Sequence, residues 1–310
     1  LSRRRYIVTG AAGFIGSHLA ETLLAAGDEV VGIDCFTDYY ERRLKEENAG
    51  SLNVRRLDLA EDPLDFSGAD GVFHLAGQPG ARSFGPAFAS YLRGNLLASQ
   101  RVFEAAARDG VRVVCASSSS IYGASESYPT PETTAPAPLS PYGVSKLAVE
   151  HLSAAYERSF GLDAVTLRYF TVFGPRQRPD MAFTRIAFAL ATGQPFDLYG
   201  DGSQRRSFTY VSDVVEATVA AMQRGSGIYN VGGAHEASVR RVIAAFERLA
   251  GRELDIHEHP AVPGDPRRTS ADTTRIRSDL GWEPQVSLDE GLQAHWEWAA
   301  ARTQRGKELG

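Results

Sequence analysis

The 310-residue chain is poor in cysteine and methionine, with two of each. Cys35 and Cys115 stand far apart. That excludes a disulfide framework and shows no zinc-ligand spacing. Both fall in apolar runs that read as strands, so two small buried hydrophobes are expected. No apolar stretch approaches the ~18–20 residues of a membrane-spanning helix. The first residues, Leu1–Arg5, are polar and basic and run straight into a strand, unlike a signal peptide. There is no excess of positive charge: 33 Lys+Arg face 38 Asp+Glu, a formal net charge of −5. Broad nucleic-acid binding, which needs a basic face, is therefore not expected. With 43% hydrophobic and 23% charged residues, the composition is that of a globular protein and excludes a disordered chain, a collagen or a coiled-coil rod. A reducing cytoplasm is the expected compartment.

What is present is a regular alternation. "YIVTG" (Tyr6–Gly10), "EVVGID" (Glu29–Asp34), "VRRLDL" (Val54–Leu59), "GVFHLAG" (Gly71–Gly77), "RVVCASS" (Arg112–Ser118) and "DAVTLRYF" (Asp163–Phe170) read as strands. Helical patterns over 14–26, 86–108 and 142–160 separate several of them. Continuous apolar strands between helices mean a parallel sheet covered on both faces. The expected fold is α/β, a Rossmann-type doubly wound sheet over 1–173. A smaller C-terminal α/β lobe over 174–310 is expected to be interleaved with the end of that sheet. Helices are expected to about 192 and over 212–223, 238–250 and 287–300. The segment 124–141, with prolines at 129, 131, 136, 138 and 141, reads as a surface loop.

Glycines 10, 13 and 16 in "TGAAGFIGS" stand between a strand and a helix. Such glycines allow a tight turn and a close backbone approach to a pyrophosphate, with the helix N-terminus aimed at the anion. Their spacing departs from the usual G-x-G-x-x-G. Asp34 ends the second strand 18 residues after Gly16, where a carboxylate accepts hydrogen bonds from ribose hydroxyls and repels a 2′-phosphate. NAD is therefore favoured over NADP. Asp58, ending the third strand, is a candidate for the adenine amino group. Phe14, Ile15, Leu59, Leu75 and Ala76 complete the candidate cofactor wall.

Tyr142 and Lys146 open a helix at i, i+4 and share one face. An ammonium beside a phenol favours the phenolate, which can take a proton from a sugar hydroxyl. Ser117–Ser120 follow the fifth strand, at the end where open α/β sheets bind ligands. Ser118 is the candidate partner of the reacting hydroxyl. His74 reads as a core histidine, and His257 and His259 as residues of a strand. No metal site is expected.

The glycine pattern, Asp34, the "SSSSIYG" run and the Tyr142/Lys146 pair resemble the extended short-chain dehydrogenase/reductase superfamily, from Tyr6 to about Trp298. The resemblance implies tightly bound NAD, a nucleotide-sugar substrate in the second lobe, and a homodimer. It implies oxidation of the sugar at carbon 4, hydride passing to NAD and the proton to tyrosinate. Dehydratase relatives resemble "TDEVYG", whose acidic pair eliminates water; here those places are Ser119 and Ser120. Epimerisation by hydride return is the chemistry that remains.

The run Arg168–Phe183, "RYFTVFGPRQRPDMAF", resembles UDP-glucuronate 4-epimerases, whereas UDP-hexose 4-epimerases usually carry Asn where Thr171 stands. Ser119, Ser120 and Thr171 are candidate hydroxyls for a sugar carboxylate. Their grip would oppose loss of carbon dioxide from a 4-keto uronate. Arg178 is the nearest candidate cation. The resemblance also implies Arg206 as a phosphate ligand and Tyr199 as a base-stacking ring. Asp265 and Arg267 are implied nucleotide contacts, with Arg82 at the sugar or diphosphate. Val262 departs from relatives that have arginine there. Three alternatives stay open: a UDP-glucose or UDP-N-acetylglucosamine 4-epimerase, a nucleotide-sugar dehydratase, and a non-catalytic NAD-sensing protein.

Overall fold

The computed structural model of the chain describes residues 3–80, 85, 88–233, 236–262 and 266–308. A seven-stranded sheet is built from β1 (Arg5–Thr9), β2 (Glu29–Asp34), β3 (Val54–Arg56), β4 (Gly71–His74), β5 (Val113–Ser118), β6 (Ala164–Tyr169) and β11 (Gly227–Val231). Its order is β11-β6-β5-β4-β1-β2-β3, and every pairing is parallel. The expected Rossmann-type architecture is therefore present. The chain winds outward from β1 to β3 and then returns to β4 on the other side. That reversal opens a crevice between the carboxyl ends of β1 and β4.

Alternation along the strands divides the apolar side chains between two faces. Tyr6, Val8, Val114, Val165 and Leu167 pack with α1 (Phe14–Ala25) and α7 (Val211–Arg224). Ile7, Val31, Val113 and Cys115 pack with the helices α4 (Ala98–Asp109) and α5 (Pro141–Phe160) on the opposite face. Ser140 caps α5 by accepting a hydrogen bond from the Gly143 amide, Pro141 takes a first-turn position, and left-handed Gly161 ends the helix. The long helix expected over 86–108 divides into α3 (Phe88–Tyr91), a π-helical turn (Leu92–Leu97) and α4. Its first two residues lie outside the described residues.

The remaining strands form small sheets. β7 (Val172–Phe173) pairs with β10 (Thr209–Tyr210). β8 (Phe196–Tyr199) pairs with β13 (Ile256–His259). β12 (Glu236–Ser238) and β14 (Arg268–Thr269) flank β9 (Arg205–Ser207). Helices α6 (Ala182–Thr192), α8 (Val239–Ala250) and α10 (Leu288–Glu308) enclose a second core around Phe183, Ile186, Phe246 and Leu292. Two helices were not expected, α2 (Arg42–Ala49) and α9 (Thr274–Leu280). α2 is polar and offers little apolar period to read; only Lys45 and Ala49 are buried in it. α7 and β11 carry the chain back to the main sheet.

Candidate active site

Two cavities of about 460 and 470 Å³ meet beyond the carboxyl ends of the strands. The first follows the crevice. A side chain at Gly10, where φ is +71°, would place Cβ 2.8 Å from the Ala76 amide nitrogen, and one at Gly16 would lie 2.1 Å from the Gly10 carbonyl oxygen. These two glycines therefore allow the turn and let α1 begin against it. The first amides of a helix lack intrahelical acceptors, and Phe14, Ile15 and Gly16 line the cavity beside Gly13. This cradle suits a diphosphate.

Asp34, the last residue of β2, lines the same cavity. Its carboxylate accepts hydrogen bonds from the amides of Ala12 (3.1 Å) and Phe36 (2.8 Å). Burial pushes the carboxyl above its ordinary value, with those amides opposing. Asp58, Leu59, Leu75 and Ala76 also line this cavity. Asp58 pairs with Arg93 at 2.7 Å. Cys35 corrects the expectation of a buried strand residue: it follows β2, is half-buried and lines the cavity. Cys115 is buried in β5. His74 is a core histidine, bonded to the hydroxyls of Thr9 (2.8 Å) and Ser99 (2.9 Å). Burial pushes its pKa down to about 3.

Tyr142, Lys146 and Ser118–Ser120 stand together in the same wall. Lys146 Nζ donates to the Ala116 carbonyl of β5 at 2.9 Å and lies 6.0 Å from the Tyr142 ring centroid. Ser118 Oγ donates to Ser120 Oγ at 3.0 Å and accepts from the Ser120 amide at 3.1 Å. Gly143 brings α5 against this turn, since a Cβ there would lie 2.6 Å from the Ser120 carbonyl oxygen. Where the cavities meet, Ser119, Ser120, Thr171 and Arg178 line both. Tyr199 and Arg206 line the second. One face of Tyr199 is taken by His259, stacked at 5.1 Å.

Not every expected residue is brought here. Arg267 is exposed and outside both walls; its carbonyl accepts from the Arg205 amide, extending the β14–β9 pairing. Arg82 and Asp265 lie outside the described residues. Conversely, a buried network behind the serine turn was not legible. Glu150 pairs with Arg168 at 2.7 Å and accepts from Ser117 Oγ at 2.5 Å. Arg168 also donates to Tyr122 (2.7 Å), which donates to Asn230 (2.8 Å). Glu150 stands four residues after Lys146, and that spacing was the one available signal. Asn95, in the π-helical turn, donates to Ser145 Oγ (2.9 Å) and accepts from the Gln78 amide (2.6 Å). Among the described residues, no cluster of three or more His, Cys, Asp or Glu could hold a metal ion. None of the described helices is long and apolar enough to cross a membrane.

The family model described as "NAD dependent epimerase/dehydratase family" matches residues 6–232. The chain belongs to this family. A Bacillus subtilis protein named as an uncharacterized UDP-glucose epimerase, YtcB, is 41% identical over 305 residues, covering 93% of this chain and 95% of its own. A UDP-glucuronate 4-epimerase of Thermodesulfobacterium geofontis is 34% identical, covering 95% of each chain. Among solved structures, UDP-glucuronic acid 4-epimerase from Bacillus cereus, in complex with UDP-glucuronic acid and NAD, superposes with a TM-score of 0.92 at 38% identity. That match covers 99% of this chain and 100% of the other. The glycine cradle and Asp34 fit NAD, the cofactor of the family.

Proposed function

We propose that this chain interconverts UDP-glucuronate and UDP-galacturonate by 4-epimerisation. The observation that carries this reading is the junction of the two cavities. There the hydroxyls of Ser119, Ser120 and Thr171 and the cation Arg178 lie in one wall system with Tyr142. The relatives named for UDP-glucuronate support the same reading.

Gly10, Gly13, Gly16 and the start of α1 hold the diphosphate of NAD, and Asp34 the adenosine ribose. NAD supplies, when bound, a reversible hydride acceptor at carbon 4 of the sugar. Tyr142 takes the proton of the carbon 4 hydroxyl and later gives it back, with Lys146 providing positive charge beside the phenol. Ser118 holds the reacting oxygen through a hydrogen bond. Neither Ser119 nor Ser120 can act as the acid or base that a dehydration needs. These neutral hydroxyls and Thr171 orient the carboxylate so that the 4-keto sugar keeps its carbon dioxide. Tyr199 stacks on uracil through the face that His259 leaves open, and Arg206 meets the diphosphate.

The functional division at about residue 173 belongs to this proposal, as does a homodimer through α4 and α5. Exposed Leu92, Leu97, Val144 and Phe160 lie on that helical layer. Cytoplasmic action fits the free thiols. The test is incubation of purified protein with UDP-glucuronate and no added cofactor, followed by proton NMR and mass spectrometry. UDP-galacturonate at unchanged mass is expected. Loss of 44 mass units, as carbon dioxide, would overturn the assignment of the hydroxyls, and conversion of UDP-glucose alone would overturn the substrate.

A further inference from the structure

We propose that Asp180 sets how strongly the site prefers an acidic sugar over a neutral one, by offsetting the charge of Arg178. The inference rests on the nucleotide-sugar reading above. Arg178 donates through Nε to Asp180 Oδ1 at 2.9 Å and through Nη2 to Oδ2 at 3.1 Å. Tyr39, from the loop after β2, donates its hydroxyl to the same carboxylate at 3.2 Å. Its ring lies 6.0 Å from the Arg178 guanidinium carbon. Two of the five guanidinium N–H groups are thus engaged by Asp180, and the others remain for a ligand. Neither side chain is sealed from the cavity, at 23% and 39% exposure. Arg178 lines both cavities and Asp180 the second.

The pair cannot easily swing away, because the loop that carries it is pinned. Arg176 bonds Glu21 at 2.9 Å and His18 bonds the Pro175 carbonyl at 3.0 Å. Buried Gln177 donates to the Val172 carbonyl at 2.9 Å. A carboxylate that reaches Arg178 therefore also comes within range of Asp180. Attraction and repulsion partly cancel. A hydroxymethyl group carries no charge and meets neither effect. Asp180 thus weakens the binding of the acidic sugar alone and keeps the neutral one competitive. Relatives named for both sugar types are compatible with a site so balanced.

The experiment is calorimetric titration of the NAD-loaded protein with UDP-glucuronate and with UDP-glucose, accompanied by kcat/KM for both. Asp180→Asn keeps an acceptor oxygen for Tyr39 and Arg178 while removing the charge. The uronate-to-hexose affinity ratio is expected to rise about three- to tenfold, with the gain shrinking in high salt. UDP-glucose affinity should stay within about twofold. A ratio that is unchanged or falls overturns the proposal. Arg178→Gln should lower the ratio; if it does not, Arg178 does not face the carboxylate and the proposal also fails. Wild-type protein that binds both nucleotides without making UDP-galacturonate would overturn the epimerase reading, while the binding ratio would still decide the role of Asp180. Wild-type protein that binds neither nucleotide overturns both.

Discussion

On one side of the cavity junction stands a sheet of seven strands; on the other, among the described residues, no small sheet exceeds three. The sheet side lines its cavity with the Gly10–Gly16 turn, the first residues of α1 and one carboxylate, Asp34. The other side lines its cavity with side chains drawn from separate segments. Tyr199 of β8 rests on His259 of β13. Glu236 of β12 is held by Arg205 and Arg268. Arg268 in turn lies 4.5 Å over the ring of Tyr128, from the proline-rich loop. A backbone cradle tolerates few side chains at its glycines but needs little support. A side-chain platform tolerates a different backbone but depends on partners far along the chain. Where the two kinds of wall touch, Tyr142 stands in the wall of the first cavity and Ser119 and Ser120 in both.

If this division is right, variants of the two sides should separate cofactor retention, turnover and substrate affinity. Tyr142→Phe should lower kcat by about 10²–10⁴-fold, the usual worth of a general acid–base. NAD content, measured after extraction, should not change. Next in size, Gly16→Ala forces Cβ toward the Gly10 carbonyl. A loss of about 2–4 kcal/mol in urea unfolding, together with loss of bound NAD, is expected. Tyr199→Ala should raise KM about five- to 100-fold, the range of one lost base stack, and leave kcat and NAD content alone. A Tyr199→Ala protein that loses NAD would break the comparison.

The smallest effect sharpens it. Among the described residues each side buries one histidine, His74 beneath the crevice and His295 in the core of the small-sheet lobe, and burial pushes both down to about 3. The unfolded chain protonates them near 6.5 while the native protein does not. Their stability contribution is therefore complete above about pH 6.5, falls as pH drops toward 3, and is lost below it. Each histidine should cost about 1.4 kcal/mol per pH unit within that window. Urea unfolding from pH 7 to 5 should show the slope, and His74→Asn or His295→Phe should each remove its share. If both sides unfold together, either substitution flattens the same single transition.

The glycine turn, Asp34 and the Tyr142/Lys146 pair were legible because each depends on neighbours within a few residues. So were the strands of the main sheet, whose buried faces leave continuous apolar runs. The Glu150–Arg168–Tyr122–Asn230 network was not, because its members lie up to 108 positions apart. Nor was the tie between Tyr39 and Asp180, separated by 141. Arg267 shows the converse. Its neighbours Pro266 and Thr269 line the second cavity, yet Arg267, whose carbonyl accepts from the Arg205 amide, stands outside both walls.

Local order thus follows directly from residue pattern. An α/β chain, its glycine cradle, its preference for NAD and its tyrosine–lysine helix rest on periodicity, steric freedom and fixed helical spacing. Those forces act over a turn or a strand. Which cation meets which anion at the cavity junction, and which ring backs Tyr199, depends on segments brought together only when the cores close. Contacts of that kind are selected by the packing of the whole chain, and no short stretch of residues encodes them.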